Sequence, residues 1–374
     1  MKKLPDIDKL LALSISEIQE QVKKIKYNLS SEERKIITFS KNYTLSLSNY
    51  CQNECGYCYY NYKIPKEKEE ENVVLLSKEE IENKTERALK YGCKEALIMS
   101  GENPGIFPEV KNLLNDNGFD NYLNYVQNIC HYLLKVNMLP HTNIGFLDLK
   151  EMKSLKKCSS SMGLMLESSS EELSKKGRVH EKSPGKLPSK RIKHIKTAGK
   201  LKIPFTTGLL LGIGETRRDR INDLLLIKNI NDRYGHIQEV IIQNFVRKPY
   251  IQYQPSKTIS IKEMLRVVGL AKLIFKNKIA VQVPPNLIAG YEKQFLNMGI
   301  DDFGGISPFT IDYINPENRW PEIKRLETIC KKNGFILKER LPIYEKYIDN
   351  ESFCPENIQK IIRNIRGNVV KRSL

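Results

Sequence analysis

The chain has no apolar run approaching the ~20 residues that cross a bilayer as a helix, so no membrane span is expected. No secretory leader is recognisable, and Cys93, Cys130, Cys158, Cys330 and Cys354 are scattered singly, which argues against a disulfide framework. Reduced thiols without a leader point to a cytoplasmic protein. No second C-x2-C pair and no H-x3-H accompanies the one cysteine cluster, so the paired knuckles of a structural zinc site are missing. No G-x-G-x-x-G follows the first expected strand, which disfavours an open dinucleotide-binding sheet. Acidic residues are too few to balance the basic ones, 44 against 61, leaving a net charge of +17. Yet the lysines are interleaved with glutamates, as over Lys63–Glu71, and no aromatic-spaced basic stripe occurs. The charge bears on solubility and non-specific attraction, and nucleic acid is not an expected partner.

What is present is concentrated in one short run, Tyr50-Cys51-Gln52-Asn53-Glu54-Cys55-Gly56-Tyr57-Cys58-Tyr59. The C-x3-C-x2-C spacing lets Cys51, Cys55 and Cys58 aim three thiolates at one small inorganic cluster. A cubane [4Fe–4S] cluster held by three cysteines keeps one iron open for chemistry, which an electron-transfer ferredoxin avoids. A zinc site completed by Cys93 or a histidine is the competing interpretation of the same thiols.

Length and periodicity supply the scaffold. The 374 residues suffice for one large α/β domain. Short β-branched runs alternate with amphipathic ones: strands at 43–49, 95–100, 143–147, 162–167, 205–211, 239–243, 279–283 and 300–303. Helices are expected at about 78–91, 122–135, up to 157, 189–201, 217–234, 261–275, 286–296 and 321–332. Eight βα units predict a closed parallel (βα)8 barrel over 41–335. A helical extension is expected over 1–40, with Leu10, Leu11, Leu13, Ile15, Ile18 and Val22 on one face. Residues 336–374 are expected to form a closing segment. In such a barrel chemistry gathers where strands end, and the cysteine loop, Ser100-Gly101-Glu102, Glu167, Gly212–Glu215 and Gln243-Asn244 all fall at expected strand ends.

The cysteine spacing, with an aromatic before the third cysteine, resembles the signature of the radical S-adenosylmethionine (SAM) enzymes. Ser100-Gly101-Glu102 resembles their glycine–acidic motif, and Gly208–Glu215 their glycine-rich segment. Gly163–Glu171, Pro204–Gly208, Gly304–Pro308 and Asp312–Glu317 resemble the 7,8-didemethyl-8-hydroxy-5-deazariboflavin synthase (CofG) family, over roughly residues 40–335.

The resemblance implies a [4Fe–4S] cluster on Cys51, Cys55 and Cys58, SAM on its open iron, and cleavage of SAM to a 5′-deoxyadenosyl radical. It implies that Tyr57 packs near the adenine, Glu102 takes the SAM amino group, Glu167 contacts its ribose or amino acid portion, and Arg191 pairs with its carboxylate. Gly212 and Glu215 belong to the SAM segment. Asn103, where the family often carries arginine, departs from the pattern. The implied reaction is a lyase step of coenzyme F(420) biosynthesis that cyclises a tyrosine–diaminouracil adduct with loss of ammonia. A companion subunit would supply the adduct and an electron donor the reducing equivalent. Thr206, Gln243, Asn244, Asp301 and Asp302 are the expected substrate contacts. The competing functions are the companion subunit that joins tyrosine to 5-amino-6-(D-ribitylamino)uracil and, outside enzymes, a zinc-bearing basic RNA-binding protein.

Overall fold

The computed structural model describes residues 6–66 and 72–372, so the ends of both expected terminal segments and part of the Lys/Glu stretch, 67–71, lie outside the described residues. Among the described residues nine strands form one sheet: β1 (Ile36–Ser48), β2 (Glu95–Ser100), β3 (Leu139–Asn143), β4 (Ser161–Gly163), β5 (Phe205–Leu211), β6 (Ile237–Asn244), β7 (Ala280–Gln282), β8 (Asp302–Ile306) and β9 (Ile336–Glu339). Neighbours pair in sequence from β2 to β8, β8 pairs with β1, and β1 pairs back with β2, all in parallel register. This is the expected closed eight-stranded barrel, with β9 added in parallel beside β1. No described helix is long and apolar enough to cross a membrane.

The helices form where the sequence signals them. Ser77 and Glu80 close a capping box that starts Lys78–Lys90, and Thr216 with Asp219 does the same for Arg217–Tyr234. Apolar stripes of these helices meet the outward faces of the strands, burying Ile98, Leu133, Phe205, Leu224, Val268 and Phe295 completely or nearly so. The helices Ile7–Ala12 and Ile15–Lys26 lie along the outside of the barrel. There Ile18 and Val22 are buried, and Arg266 donates to the carbonyl of Leu13 at 2.6 Å.

Several strand positions differ from expectation for identifiable reasons. β1 begins at Ile36 rather than Tyr43. β3 covers Leu139–Asn143 instead of 143–147, because Pro140 inside the run reads as a strand breaker. Its carbonyl nevertheless accepts from Ser160 N–H at 2.9 Å. β4 stops at Gly163, and Glu167 sits in a lone bridge to Leu209 with φ +62°. The expected helix 286–296 is a short turn at Pro285–Leu287 and a helix Glu292–Met298, interrupted at Gly290 with φ +87°. β8 begins at Asp302, so the strand lies later than the expected 300–303.

That shift places Asp301 and Asp302 at the end of the barrel opposite the cysteines, so neither is a mouth residue. Asp301 pairs with Lys272 at 2.7 Å, and Asp302 is fully buried against Arg340 at 2.5 Å. Arg340, just past β9, also donates to Glu239 at 2.7 Å, and the Tyr344 hydroxyl reaches both carboxylates at 3.1 Å. Burial raises the Glu239 carboxyl to about 7 despite the attraction of Arg340. One guanidinium thus seals the barrel floor against two buried acids. Replacing it strands them, and Arg340→Ala is expected to lower unfolding free energy by about 3–5 kcal/mol in urea denaturation; an unchanged midpoint would show that the floor tolerates the unpaired acids.

Candidate active site

The cysteine loop follows β1 directly and is held by backbone bonds to two other segments, around Glu102 and over 179–182. Gln52 N–H donates to Glu102 O at 2.9 Å, Glu54 N–H to Lys182 O at 3.0 Å, and Gly56 N–H to Val179 O at 2.8 Å. All eight cysteines are free, and Cys51, Cys55 and Cys58 line one cavity of about 340 Å³ that runs from the barrel mouth to Arg340. Cys51 Sγ accepts from Glu102 N–H (3.2 Å) and Asn53 N–H (3.4 Å), and Cys55 Sγ accepts from the Ser183 hydroxyl (3.3 Å). These donors favour sulfur carrying negative charge. Burial works the other way, pushing the Cys51 thiol up and the Cys55 thiol to about 12 with Lys186 opposing. Buried thiols with donors in place fit a cationic metal group, whose charge offsets the burial cost. Cys93 is not a fourth ligand: its Sγ donates to the Asn42 carbonyl at 3.4 Å, and it does not line the cavity.

Glu102, at the end of β2, is the most connected carboxylate of the site. It accepts from Gln52 Nε2 (2.8 Å), Phe146 N–H (3.1 Å) and Arg191 Nη2 (3.2 Å). Burial opposes its ionisation, but Arg191, Gln52, Asn53 and Lys186 together hold its carboxyl below the usual range. The packing leaves no spare room: a Cβ at Gly185 would stand 1.5 Å from Glu102 Oε1, and one at Gly101 would stand 2.0 Å from Tyr50 O. Arg191 is buried with its remaining bonds on Gly185 O (2.8 Å) and Met165 O (3.3 Å). Arg191 also lines the cavity, where its guanidinium was expected to meet a ligand carboxylate. The side chain braces Glu102 and the 183–188 turn.

Glu167 lies across the mouth. Its Oε1 meets Lys186 Nζ at 2.6 Å, while its buried Oε2 has no partner. The left-handed backbone at this non-glycine residue carries a cost of order 1–3 kcal/mol, the kind of strain found at ligand-holding positions. Tyr57 is buried with its hydroxyl 3.0 Å from His180 Nε2, and burial lowers His180 to about 3, with Lys186 and Arg191 adding to the effect, so the imidazole is neutral. Thr206, Gln243 and Asn244 line the cavity; Asn244 Oδ1 is buried without a partner, and the Thr206 hydroxyl is turned to Glu239 at 2.8 Å.

Gly212 and Glu215 are not brought to the cavity. The Glu215 carboxylate accepts from Gly212 N–H (2.8 Å) and Ile213 N–H (2.9 Å) and pairs with Arg220 at 2.7 Å, shaping the turn after β5. Sequence reasoning missed Lys186, Lys248 and Trp320, which all line the cavity. Lys248 Nζ donates to Asn315 Oδ1 at 2.8 Å, inside the Asp312–Glu317 segment that folds over the mouth. In a chain so rich in lysine, neither lysine carries a local signal.

The Radical SAM superfamily model matches residues 45–227. A relative from Methanococcus maripaludis named 7,8-didemethyl-8-hydroxy-5-deazariboflavin synthase is 46% identical over 356 residues, covering 95% of this chain and 97% of the relative. One of the same name from Methanothermobacter thermautotrophicus is 44% identical, covering 87% and 97%. A crystal structure of methylornithine synthase superposes with a TM-score of 0.66 at 18% identity, covering 89% of this chain and 93% of that one, which supports the fold alone.

Two outcomes test this geometry. Alanine at Cys51, Cys55 or Cys58 should abolish the bound iron and sulfide of anaerobically reconstituted protein, whereas full retention in the triple variant would remove the assignment. Arg191→Ala should cost about 3–5 kcal/mol of stability by leaving Glu102 buried and unpaired. A wild-type urea midpoint would show that Glu102 does not depend on this partner.

Proposed function

The chain belongs to the radical SAM superfamily and, within it, to the 7,8-didemethyl-8-hydroxy-5-deazariboflavin synthase family, and from that premise we infer the roles of its cavity residues. It is a lyase of coenzyme F(420) biosynthesis that uses a [4Fe–4S] cluster and SAM. It cyclises the adduct 5-amino-5-(4-hydroxybenzyl)-6-(D-ribitylimino)-5,6-dihydrouracil with loss of ammonia, giving the deazaflavin that names its relatives. The cluster, when bound, supplies the reductive cleavage of SAM.

Cys51, Cys55 and Cys58 would hold that cluster, since they are the thiols that share the cavity wall. Glu102 and Glu167 would receive the ammonium and hydroxyl groups of SAM. Glu167 Oε2 and Asn244 Oδ1 are acceptors that are buried without a partner and line the mouth, and they are the observation that carries this placement. An unpaired buried acceptor costs about 1–3 kcal/mol, which a bound donor recovers. Arg191 acts through Glu102 as a positioning residue. Tyr57, Leu210, Phe245 and Tyr313 supply apolar walls that keep water from the reacting atoms. Gln243 and Thr206 line the path of the substrate below them.

The adduct would come from a companion enzyme, and the reducing electron from a separate donor. The chain has one three-cysteine loop and hence one SAM-cleaving centre, whereas joining and cyclisation each need their own hydrogen abstraction. Anaerobic protein given adduct, SAM and reductant should form a fluorescent deazaflavin together with 5′-deoxyadenosine, methionine and ammonium. It should form none from tyrosine and the diaminouracil alone. Deazaflavin from those two precursors without a partner would overturn the division of labour, and SAM cleavage that leaves the adduct untouched would point to another substrate.

A further inference from the structure

Below the mouth the same cavity continues into the barrel and is lined there by Asn42, His141, Gln282 and Arg340, none of which the cluster or SAM requires. Resting on the function above, we infer that this lower chamber is a binding subsite for the polyhydroxylated side chain of the substrate, with Asn42, His141 and Gln282 as its hydrogen-bonding groups.

Two of the three present a bare acceptor. Asn42 is 4% exposed, and its Oδ1 has no partner. The Asn42 amide favours ionisation of the neighbouring Glu95 carboxylate, a role that only its donor Nδ2 can fill, and this leaves Oδ1 as the bare atom. His141 is 7% exposed and touches Ser161 Oγ through Nδ1 at 2.7 Å. The Ser161 hydroxyl gives its one proton to the Pro342 carbonyl at 2.9 Å, so it must accept from His141 Nδ1–H. The imidazole is neutral, lowered to about 3 by burial and then by Arg340, and Nε2 is left as an acceptor. An acceptor buried without a donor is costly, as at Asn42 Oδ1, and the His141 ring lines the same chamber.

Missing side chains keep the chamber open. A Cβ at Gly163 would lie 3.0 Å from His141 Nε2, one at Gly305 would lie 2.1 Å from Asn42 Nδ2, and one at Gly304 would lie 2.0 Å from Gln282 Nε2. Three glycines on β4 and β8 thus clear the space around these three polar groups.

The chemistry of the occupant follows from the contrast between the two ends. The mouth offers flat apolar walls, Tyr57, Phe245, Tyr313 and Trp320, beside the cysteines, and suits the rings where bonds change. The chamber offers acceptors and an amide at close spacing. A chain of hydroxyls, each both donor and acceptor, satisfies such a set, whereas a uracil edge is dominated by carbonyl acceptors. The polyol is also the part of the adduct that extends away from the closing ring.

Trp320, the only tryptophan, lines the cavity and reports binding by its fluorescence. The reconstituted protein would be titrated with the deazaflavin product, with its analogue carrying n-pentyl in place of ribityl, and with its analogue lacking the phenolic hydroxyl. The pentyl analogue should bind about 100-fold more weakly than the product. In Asn42→Leu and in the smaller change Gly163→Ala, that preference should shrink to about tenfold or less, chiefly through weaker binding of the product. Equal binding of product and pentyl analogue overturns the subsite while leaving the function intact. Full preference retained in both variants overturns the residue assignment, and selective loss with the analogue lacking the phenol would put the aromatic ring in the chamber instead. Binding of none of the three contradicts the parent function itself.

Discussion

The site depends on one buried carboxylate, Glu102, and on the guanidinium that keeps it ionised. Through Gln52, Phe146 and Arg191 its two oxygens tie the cysteine loop to the segment after β3 and to the helix Pro188–Lys200. Its own N–H donates to Cys51 Sγ. Out of water such a pair is stabilising only with further hydrogen bonds, which Gln52 and Phe146 supply here. The glycines beside it, Gly101 and Gly185, exist because the loop and the carboxylate occupy the space their side chains would need. A cluster site assembled from segments so distant in sequence is held in place before any ligand arrives, which is the condition for precise radical chemistry.

A second ionic centre, Arg340 with Glu239 and Asp302, closes the opposite end of the barrel. Between the two centres lies a cavity apolar near the cysteines and polar toward the floor. The C-terminal segment is therefore part of the same chamber, because Arg340 and Pro342 line it. The division suits a substrate with flat reacting rings at one end and a hydrated chain at the other.

Much of this was legible in the sequence where the signal is local. The strands Glu95–Ser100 and Phe205–Leu211 and the helices Tyr122–Lys135, Arg217–Tyr234 and Ile261–Phe275 follow directly from periodicity and caps. The cysteine spacing pointed to the cofactor chemistry because its three thiols lie within one loop. What was not legible depends on pairing across the barrel. Pro140 and the Gly304-Gly305 pair look like loop residues until neighbouring strands explain them. Nothing local in the sequence pairs Arg191 with Glu102, which the barrel places beside it. Asn42 and His141 are ordinary residues in sequence, and only a closed barrel brings the unpaired Asn42 Oδ1 and the His141 ring to one chamber.

The central claim is that Cys51, Cys55 and Cys58 leave one iron of a [4Fe–4S] cluster open to SAM at a mouth organised by Glu102. Electron–nuclear double resonance on the reduced protein tests it most directly, using SAM isotopically labelled in its amino and carboxylate groups. The account predicts hyperfine coupling from both labels to the cluster. Bound SAM whose labelled groups show no coupling to the cluster would contradict it.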